Sequence, residues 1–207
     1  MSERSERTNG HSSERTARRG SRQDTRLKVF RSAVELIAEL GYAATTVDAI
    51  AERAGVAKGT VFYNFGSKEG LFEALLEHSI SKLAEALAAA DTGESALDAL
   101  DSVVLGQLRF FEEHGAFARV LLAEMWRTAW QEAVARLRRS ALSVYANVLR
   151  RAAANGEIRA DLDVETAATA VFGMVLTVAI ERRALYPDRP IERTHATLAE
   201  LLHGRIK

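Results

Sequence analysis

Apolar residues recur every three or four positions through most of the chain, and no alternating run is long enough for a β-sheet. The first such stretch follows a Ser21-x-x-Asp24 capping box and precedes Gly41, a helix stop signal. Its apolar positions are Leu27, Phe30, Val34 and Ile37. The chain has 2 prolines, both close to its carboxyl end. The pattern therefore predicts an all-α protein.

Glycines and short polar stretches divide the rest of the pattern into further helices. We predict short helices over Val47–Ala54, capped by Thr45-x-x-Asp48, and over Lys58–Asn64. Ser67 should cap a fourth helix that begins at Lys68. The later helices are predicted over about Ser95–His114, Ala116–Met125, Ala129–Asn155, Val164–Leu185 and Ile191–Leu202.

Charge is unevenly distributed, although 28 basic and 28 acidic residues give a net charge of zero. Residues 1–28 carry 8 basic side chains against 4 acidic ones. Residues 1–20 hold almost nothing apolar, so we predict that they form a disordered basic arm. Its arginines could follow a nucleic-acid backbone, and a plain tail is the alternative.

Composition also limits the compartment. There is no cysteine, which excludes disulfides and thiolate metal sites and fits a reducing cytoplasm. The amino terminus has no apolar stretch of the secretory kind. The longest charge-free apolar stretch, Thr166–Ile180, has 15 residues, whereas a membrane span needs about 20. We therefore expect a buried helix there, a cytoplasmic protein and no membrane partner.

The stretch Thr45–Leu71 is the most informative part of the chain. It places two short helices around Gly55-Val56, with one apolar face formed by residues 47, 50, 51 and 54. Val61 and Phe65 give the second helix an inward face. With the preceding helix, this is the layout of a helix-turn-helix. Spacing alone also fits a helical hairpin that never touches DNA.

The outer face of the second helix is small or polar, as major-groove docking requires. Lys58 could reach a guanine edge, Gly59 would let the backbone approach DNA, and Thr60 could contact a base or a phosphate. Tyr63 and Asn64 could donate to phosphate oxygens. Lys68 lies in the first turn of the next helix, where an anion is favoured.

The string AGVAKGTVFYNFGSKEGL resembles the signature of the tetracycline-repressor (TetR/AcrR) family. The similarity runs from about Asp24 to Leu76. It implies a helix-turn-helix DNA-binding domain over 21–76 and a ligand-binding, dimerising domain over 77–207. By position it assigns base contacts to Lys58, Gly59 and Thr60, and phosphate contacts to Thr46, Tyr63, Asn64 and Lys68.

One position departs from the family pattern. Many members have a phosphate-binding tyrosine where this chain has Phe62, which has no hydroxyl. The adjacent Tyr63 could replace it, or Phe62 could belong to the core.

The predicted helix over Val164–Leu185 is apolar around most of its circumference, so it must be covered on every side. In the family, the last two long helices of each subunit form the dimer interface. The residues that we assign to it are Val171, Phe172, Val175 and Leu176. A central helix of the monomer is the alternative.

The middle helices carry large apolar side chains that could line a cavity for a drug-sized molecule. The predicted pocket consists of Phe110, Leu121, Met125, Trp126, Trp130 and Tyr145, each of which could instead be core. Glu112, Glu113 and Glu124 could complement a cationic ligand or lie on a solvated face.

The sequence contains no motif that indicates an enzyme. The 5 histidines do not pair at ligand spacing, and no glycine-rich phosphate loop follows a strand. We predict no catalytic residue, no metal site and no cofactor. The predicted function is a ligand-responsive repressor that binds a palindromic DNA operator as a homodimer and is released by a small-molecule effector. A helical enzyme and a non-DNA-binding adaptor are the alternatives.

Overall fold

The computed structural model describes the backbone of residues 7–124 and 130–204, with side chains from Arg22 onward. These ranges contain helices and no strand, so the all-α prediction is confirmed. The helices are α1 (Arg7–Leu40), α2 (Val47–Ala54), α3 (Lys58–Phe65), α4 (Lys68–Ala90), α5 (Ala96–Glu113), α6 (Gly115–Glu124), α7 (Gln131–Leu137), α8 (Ser143–Ala154), α9 (Val164–Leu185) and α10 (Ile191–Leu202). A π-helical segment, Arg138–Leu142, joins α7 to α8.

The chain divides into two compact units, with the boundary between Leu75 and Leu76, inside α4. In the first unit α1 packs on α2, and α2 packs on α3. The inward face of α1 is formed by Val29, Phe30, Ala33, Leu36 and Ile37. Ile50 of α2 and Val61 of α3 are also buried.

The amino-terminal end of α1 differs from the prediction. The structure continues α1 back to Arg7, so the predicted disorder of residues 7–20 and the cap at Ser21 are wrong, and residues 1–6 lie outside the described part. Leu27 is 40% exposed. The apolar face of α1 is therefore rotated away from Leu27, toward Val29 and Ala33.

The second unit is organised around α5, which packs against α6, α8, α9 and α10. The α5 amino terminus carries a capping box between Ser95 and Asp98. The Glu157 carboxylate, from the loop after α8, accepts from the backbone N–H groups of Ala96 and Leu97 at 3.2 and 2.9 Å. These contacts satisfy N–H groups that the first turn of a helix leaves unpaired.

Helix α9 passes the length and composition test for a membrane span, but it packs against α5, α6 and α8. Val171, Phe172, Val175 and Leu176 are all buried in the core of their own unit. The structure therefore contradicts their assignment to a dimer interface and favours the alternative of a central helix for that face. The other side of α9 is open: Ala170 and Thr177 are exposed, and a Cβ added at Gly173 would meet nothing within 4 Å.

An ion pair fixes the carboxyl end of α9. The buried Arg182 guanidinium donates to the Glu112 carboxylate of α5 and to the Arg189 carbonyl oxygen. Arg183 also donates to the Glu112 carbonyl oxygen at 2.8 Å. The Glu112 carboxylate, considered from the sequence as a partner for a cationic ligand, is thus paired with Arg182 in the free protein.

Candidate nucleic-acid interface

The turn between α2 and α3 is built on Gly55. Gly55 has φ 66° and ψ 35°, a left-handed conformation that glycine adopts without steric cost. Its N–H bonds back to α2, and the Val56 N–H donates to the Ala51 carbonyl at 3.0 Å. The chain turns within residues 55–57 after the end of α2. As a result α3 packs against α2, as in a helix-turn-helix.

Helix α3 has one buried side and one exposed side. Val61 is buried, whereas Lys58, Gly59 and Tyr63 are exposed, and the Tyr63 side chain reaches 77% exposure. Ala57 precedes α3 without a side-chain cap. Within the described part of the chain, the N-cap residue of α3 thus offers its first-turn N–H groups no side-chain acceptor, which suits them to an anion.

Phe62 lies on the outer side of α3, 42% exposed, so the core alternative for this residue is wrong. The Lys58 ammonium lies 6.0 Å from the centroid of the Phe62 ring. Phe62 therefore presents an apolar ring beside Lys58, at the position where many members of the family have a tyrosine hydroxyl.

Lys58 is not an isolated cation in the free protein. Its ammonium donates to the Asp48 carboxylate of α2 at 2.8 Å, and both side chains are more than half exposed. Such an exposed pair is worth about 0–1 kcal/mol, so a stronger anion can displace it. Sequence reasoning overlooked Asp48 because it looked only like part of a cap.

Thr46, not Thr45, caps α2. The Thr46 hydroxyl oxygen accepts from the Ala49 N–H at 3.1 Å, and its own O–H can still donate. Thr45 is fully buried and donates to the Gly41 carbonyl oxygen at 2.9 Å. The predicted cap is wrong by one residue because Thr45 is used to close the loop after α1.

Lys68, at the start of α4, is held beside the loop that follows α1. Its ammonium donates to the Ala43 carbonyl oxygen at 3.3 Å and lies 4.3 Å from the centroid of the Tyr42 ring. The Ser67 hydroxyl oxygen accepts from the Gly70 N–H, which confirms Ser67 as a cap. Hydrogen bonds from its own backbone N–H, from Ser67 and from Tyr42 lower the pKa of the adjacent Glu69 carboxyl, so Glu69 stays ionised.

Asn64, near the end of α3, and Thr60, in its first turn, are half-buried. The Asn64 amide nitrogen donates to the Thr60 carbonyl oxygen at 2.8 Å. Its amide oxygen accepts from Arg22 Nε of α1 at 3.2 Å. In the sequence analysis Arg22 was only one of the 8 basic side chains of residues 1–28, and no local signal pointed to its contact with α3.

In the second unit, Phe110, Leu121, Trp130 and Tyr145 of the predicted pocket are all buried. Met125 and Trp126 lie outside the described residues. Phe110 contacts Phe117, with ring centroids 6.4 Å apart, and Tyr145 contacts Phe172 at the same distance. The structure thus assigns the four described residues to an aromatic-rich interior.

Gln107 was missed by the sequence analysis, yet it forms the polar centre of this interior. The Tyr145 hydroxyl donates to the Gln107 amide oxygen at 2.5 Å, and the Gln107 amide nitrogen donates to the Phe172 carbonyl oxygen at 3.0 Å. Gln107 and Tyr145 are both 0% exposed. Burial raises the pKa of the Tyr145 hydroxyl well above its usual value.

Among the described residues no group of three or more His, Asp or Glu side chains could hold a metal ion. His195 and His203 are half-buried, and both bond to Asp101 of α5. They connect α10 to α5.

Fold and interface together define an all-α helix-turn-helix protein with a separate helical domain. Residues 29–75 match the family of bacterial regulatory proteins described as the tetR family. Residues 93–180 match the tetracyclin repressor-like C-terminal domain. The chain belongs to the TetR family of transcriptional regulators, which are not enzymes.

Relatives show the same assignment over most of the chain. The HTH-type transcriptional regulator TtgR of Pseudomonas putida is 31% identical over 181 residues, which cover 80% of this chain and 83% of that protein. BetI of Stenotrophomonas maltophilia is 34% identical over 117 residues, 56% of this chain and 60% of that protein. The solved structure of FadR from Bacillus subtilis in complex with stearoyl-CoA has a TM-score of 0.76 and 23% identity, and covers 87% of this chain and 99% of that one.

Proposed function

We propose that this regulator is a repressor that binds a palindromic operator as a dimer and releases it when a small apolar molecule binds the second unit. The observation that carries the proposal is the two-sided character of α3. Its inner side is buried through Val61, while an open, polar outer side presents Lys58, Gly59 and Tyr63. A recognition helix needs both sides.

In this proposal Lys58 leaves Asp48 to contact a base, and Thr60 contacts a base or phosphate at the same groove. Thr46, Tyr63 and Lys68 donate to phosphates around it, which positions α3 without reading sequence. Gly59 allows the helix backbone to approach the base edges.

Binding to the promoter region upstream of the protein's own gene tests the proposal. We expect duplexes from this region to bind more tightly than random duplexes of the same length in fluorescence anisotropy. Lys58→Ala and Thr60→Ala should reduce this preference, whereas Lys68→Ala should weaken both duplexes equally and flatten the salt dependence. A chain that binds no duplex above the level of a scrambled control would favour the adaptor alternative.

Regulators of this family act as dimers, and the open side of α9 is the surface that we propose for a second copy. Ala170 and Gly173 are small, which lets a partner helix approach closely. Leu201 of α10 is an exposed apolar side chain, 46% exposed, and we include it in the proposed surface. A two-fold pairing would present two recognition helices to the two halves of a palindrome.

For the effector we propose an apolar molecule among the aromatic side chains of the second unit. The FadR structure was solved with stearoyl-CoA, so a long-chain acyl-CoA is a rational first probe, with aromatic amphiphiles as the second. A tenfold loss of operator affinity needs about 1.4 kcal/mol of coupling. By reciprocity, operator DNA must then lower the affinity for the probe tenfold, which tryptophan fluorescence can measure. Binding of a probe without this mutual effect would refute the proposed release.

A further inference from the structure

Two arginines of α1, one helical turn apart, contact the carboxyl end of the recognition helix. Arg22 Nε donates to the Asn64 amide oxygen at 3.2 Å, and its guanidinium lies 5.4 Å from the centroid of the Tyr63 ring. Arg26 donates to the Asn64 carbonyl oxygen at 3.2 Å and lies 4.6 Å from the centroid of the Phe65 ring. Helix α1 therefore holds α3 at the residues that precede its end.

The two arginines differ in what remains available to a ligand. Arg26 is half-buried between two aromatic rings, so it serves the fold. Arg22 is exposed, and only its Nε is bonded within the described part of the chain. A guanidinium carries five N–H donors, so both terminal nitrogens of Arg22 can still bind an anion in the bidentate manner that phosphates accept.

Asn64 fixes the direction of Arg22. The Asn64 side chain is anchored by its bond to the Thr60 carbonyl oxygen at 2.8 Å, and the opposite end of the same amide holds Arg22. The Tyr63 ring, the most exposed of the large apolar side chains described, lies against the guanidinium. The bonded amide and the ring thus restrain a long side chain that would otherwise lose rotamer entropy on binding.

We propose that Arg22 binds a DNA backbone phosphate next to the one reached by Tyr63, and that Asn64 is a positioning residue for Arg22 and not itself a phosphate donor. This deepens the proposed function and rests on it. The phosphate-binding surface then extends from α3 onto α1, and Arg22, Tyr63 and Asn64 act as one unit.

The test compares Arg22→Gln with Arg31→Gln, a matched control that removes an exposed arginine from another part of α1. Binding of the full-length protein to operator and random duplexes is measured by anisotropy between 50 and 200 mM salt. One phosphate contact contributes about 0.9 to the salt slope, and a dimer carries two copies of Arg22, so the affinity ratio of wild type to Arg22→Gln should shrink about twelvefold over this range. Arg31→Gln should keep the wild-type slope.

The positioning role is tested with Asn64→Ala in both backgrounds. We expect Asn64→Ala to weaken DNA binding in the wild type and to have little further effect in Arg22→Gln. Arg22→Lys should keep the wild-type salt slope, and in that background Asn64→Ala should no longer change DNA affinity. A slope equal to wild type in Arg22→Gln, or equal losses in Arg22→Gln and Arg31→Gln, would overturn the phosphate contact. An undiminished Asn64→Ala effect in Arg22→Gln would overturn the positioning role. Failure of the wild type to bind any duplex would instead contradict the proposed function.

Discussion

At Gly59 an effect of substitution on DNA binding can be distinguished from an effect on folding. Gly59 is exposed on α3, and a Cβ added there would meet nothing within 4 Å. Nothing in the free protein therefore requires glycine at this position. In the proposed function, the glycine in the first turn of the recognition helix leaves the space that DNA needs.

We predict that Gly59→Ala leaves the fold as stable as the wild type or stabilises it, by up to about 1 kcal/mol, because alanine is the better helix former. The same change should weaken operator binding by at least tenfold, since the methyl group would lie between helix and groove. Urea unfolding and anisotropy measure the two effects. Unchanged operator affinity would show that α3 does not approach the bases at Gly59.

Tyr145 and Gln107 form a polar pair inside an apolar interior, and such a pair is stabilising only while it is complete. Tyr145→Phe would leave the Gln107 amide oxygen without its donor. We expect a loss of about 1–3 kcal/mol in the free energy of unfolding. The control is Tyr186→Phe, at a half-exposed tyrosine, which should change stability little.

The same tyrosine gives a pH dependence with a defined sign. Burial raises the pKa of Tyr145 in the folded state, so the unfolded state releases this proton first, near pH 10. The contribution of Tyr145 is complete below about pH 10 and is lost as the pH rises above it. Tyr145→Phe should lack this part of the alkaline loss. Parallel stability curves for the two proteins above pH 10 would contradict the assignment.

At the scale of elements, the second unit depends on a contact between distant segments. Glu157 binds the amino terminus of α5 from 60 residues away in sequence. Hydrogen bonds from Asn155, Leu97 and Ala96 lower the pKa of the Glu157 carboxyl. The loop after α8 thereby supplies an anion where the α5 dipole favours one.

We predict that this contact makes stability sensitive to acid. Because the folded-state pKa of Glu157 is lowered, its contribution is present above the unfolded value, near 4.3, and is lost as the pH falls through the folded value. Glu157→Gln should be less stable than wild type at pH 7 and should lose less on acidification. Thermal unfolding between pH 3 and 7 measures this, with Glu94→Gln in the exposed loop as the control. A Glu157→Gln curve parallel to the wild-type curve would refute it.

At the scale of the whole molecule, one side of α9 contributes to folding, and we propose that the other side contributes to dimer assembly. Val175 is fully buried in its own unit, whereas Ala170 is exposed on the side proposed for the second copy. Val175→Ala should cost roughly 1–3 kcal/mol of folding stability and leave the oligomeric state unchanged.

Ala170→Arg should keep the fold and weaken the dimer, because it places a charge in a close helix contact. Sedimentation then shows monomers, and affinity for a palindromic operator falls while affinity for a single half-site changes little. A dimer of unaltered strength in Ala170→Arg would exclude this side of α9 as the interface.

Most helices, the turn at Gly55 and the family could be predicted from the sequence, because helical periodicity, glycine breaks and a dense local motif are encoded within a few neighbouring residues. The sequence predicted the bounds of α2, α9 and α10 without error. Its errors in secondary structure include the cap at Thr45, where two adjacent hydroxyls compete, and residues 7–20, where composition alone predicted no helix. The single helix predicted over Ala129–Asn155 is divided in the structure into α7, the π-helical segment and α8.

Which side of each helix is covered became known from the packing of the helices. In the sequence, Val171 and Val175 are compatible with contact to a helix of the same chain or to a second copy of the chain. In the structure both are buried where α9 packs against α5 and α8, so they belong to the core. The contacts of Arg22 with Asn64, of Lys58 with Asp48 and of Tyr145 with Gln107 join residues 42, 10 and 38 positions apart. Local periodicity carries no information on such pairs, because their distances are set by how helices pack and not by the order of residues along one helix.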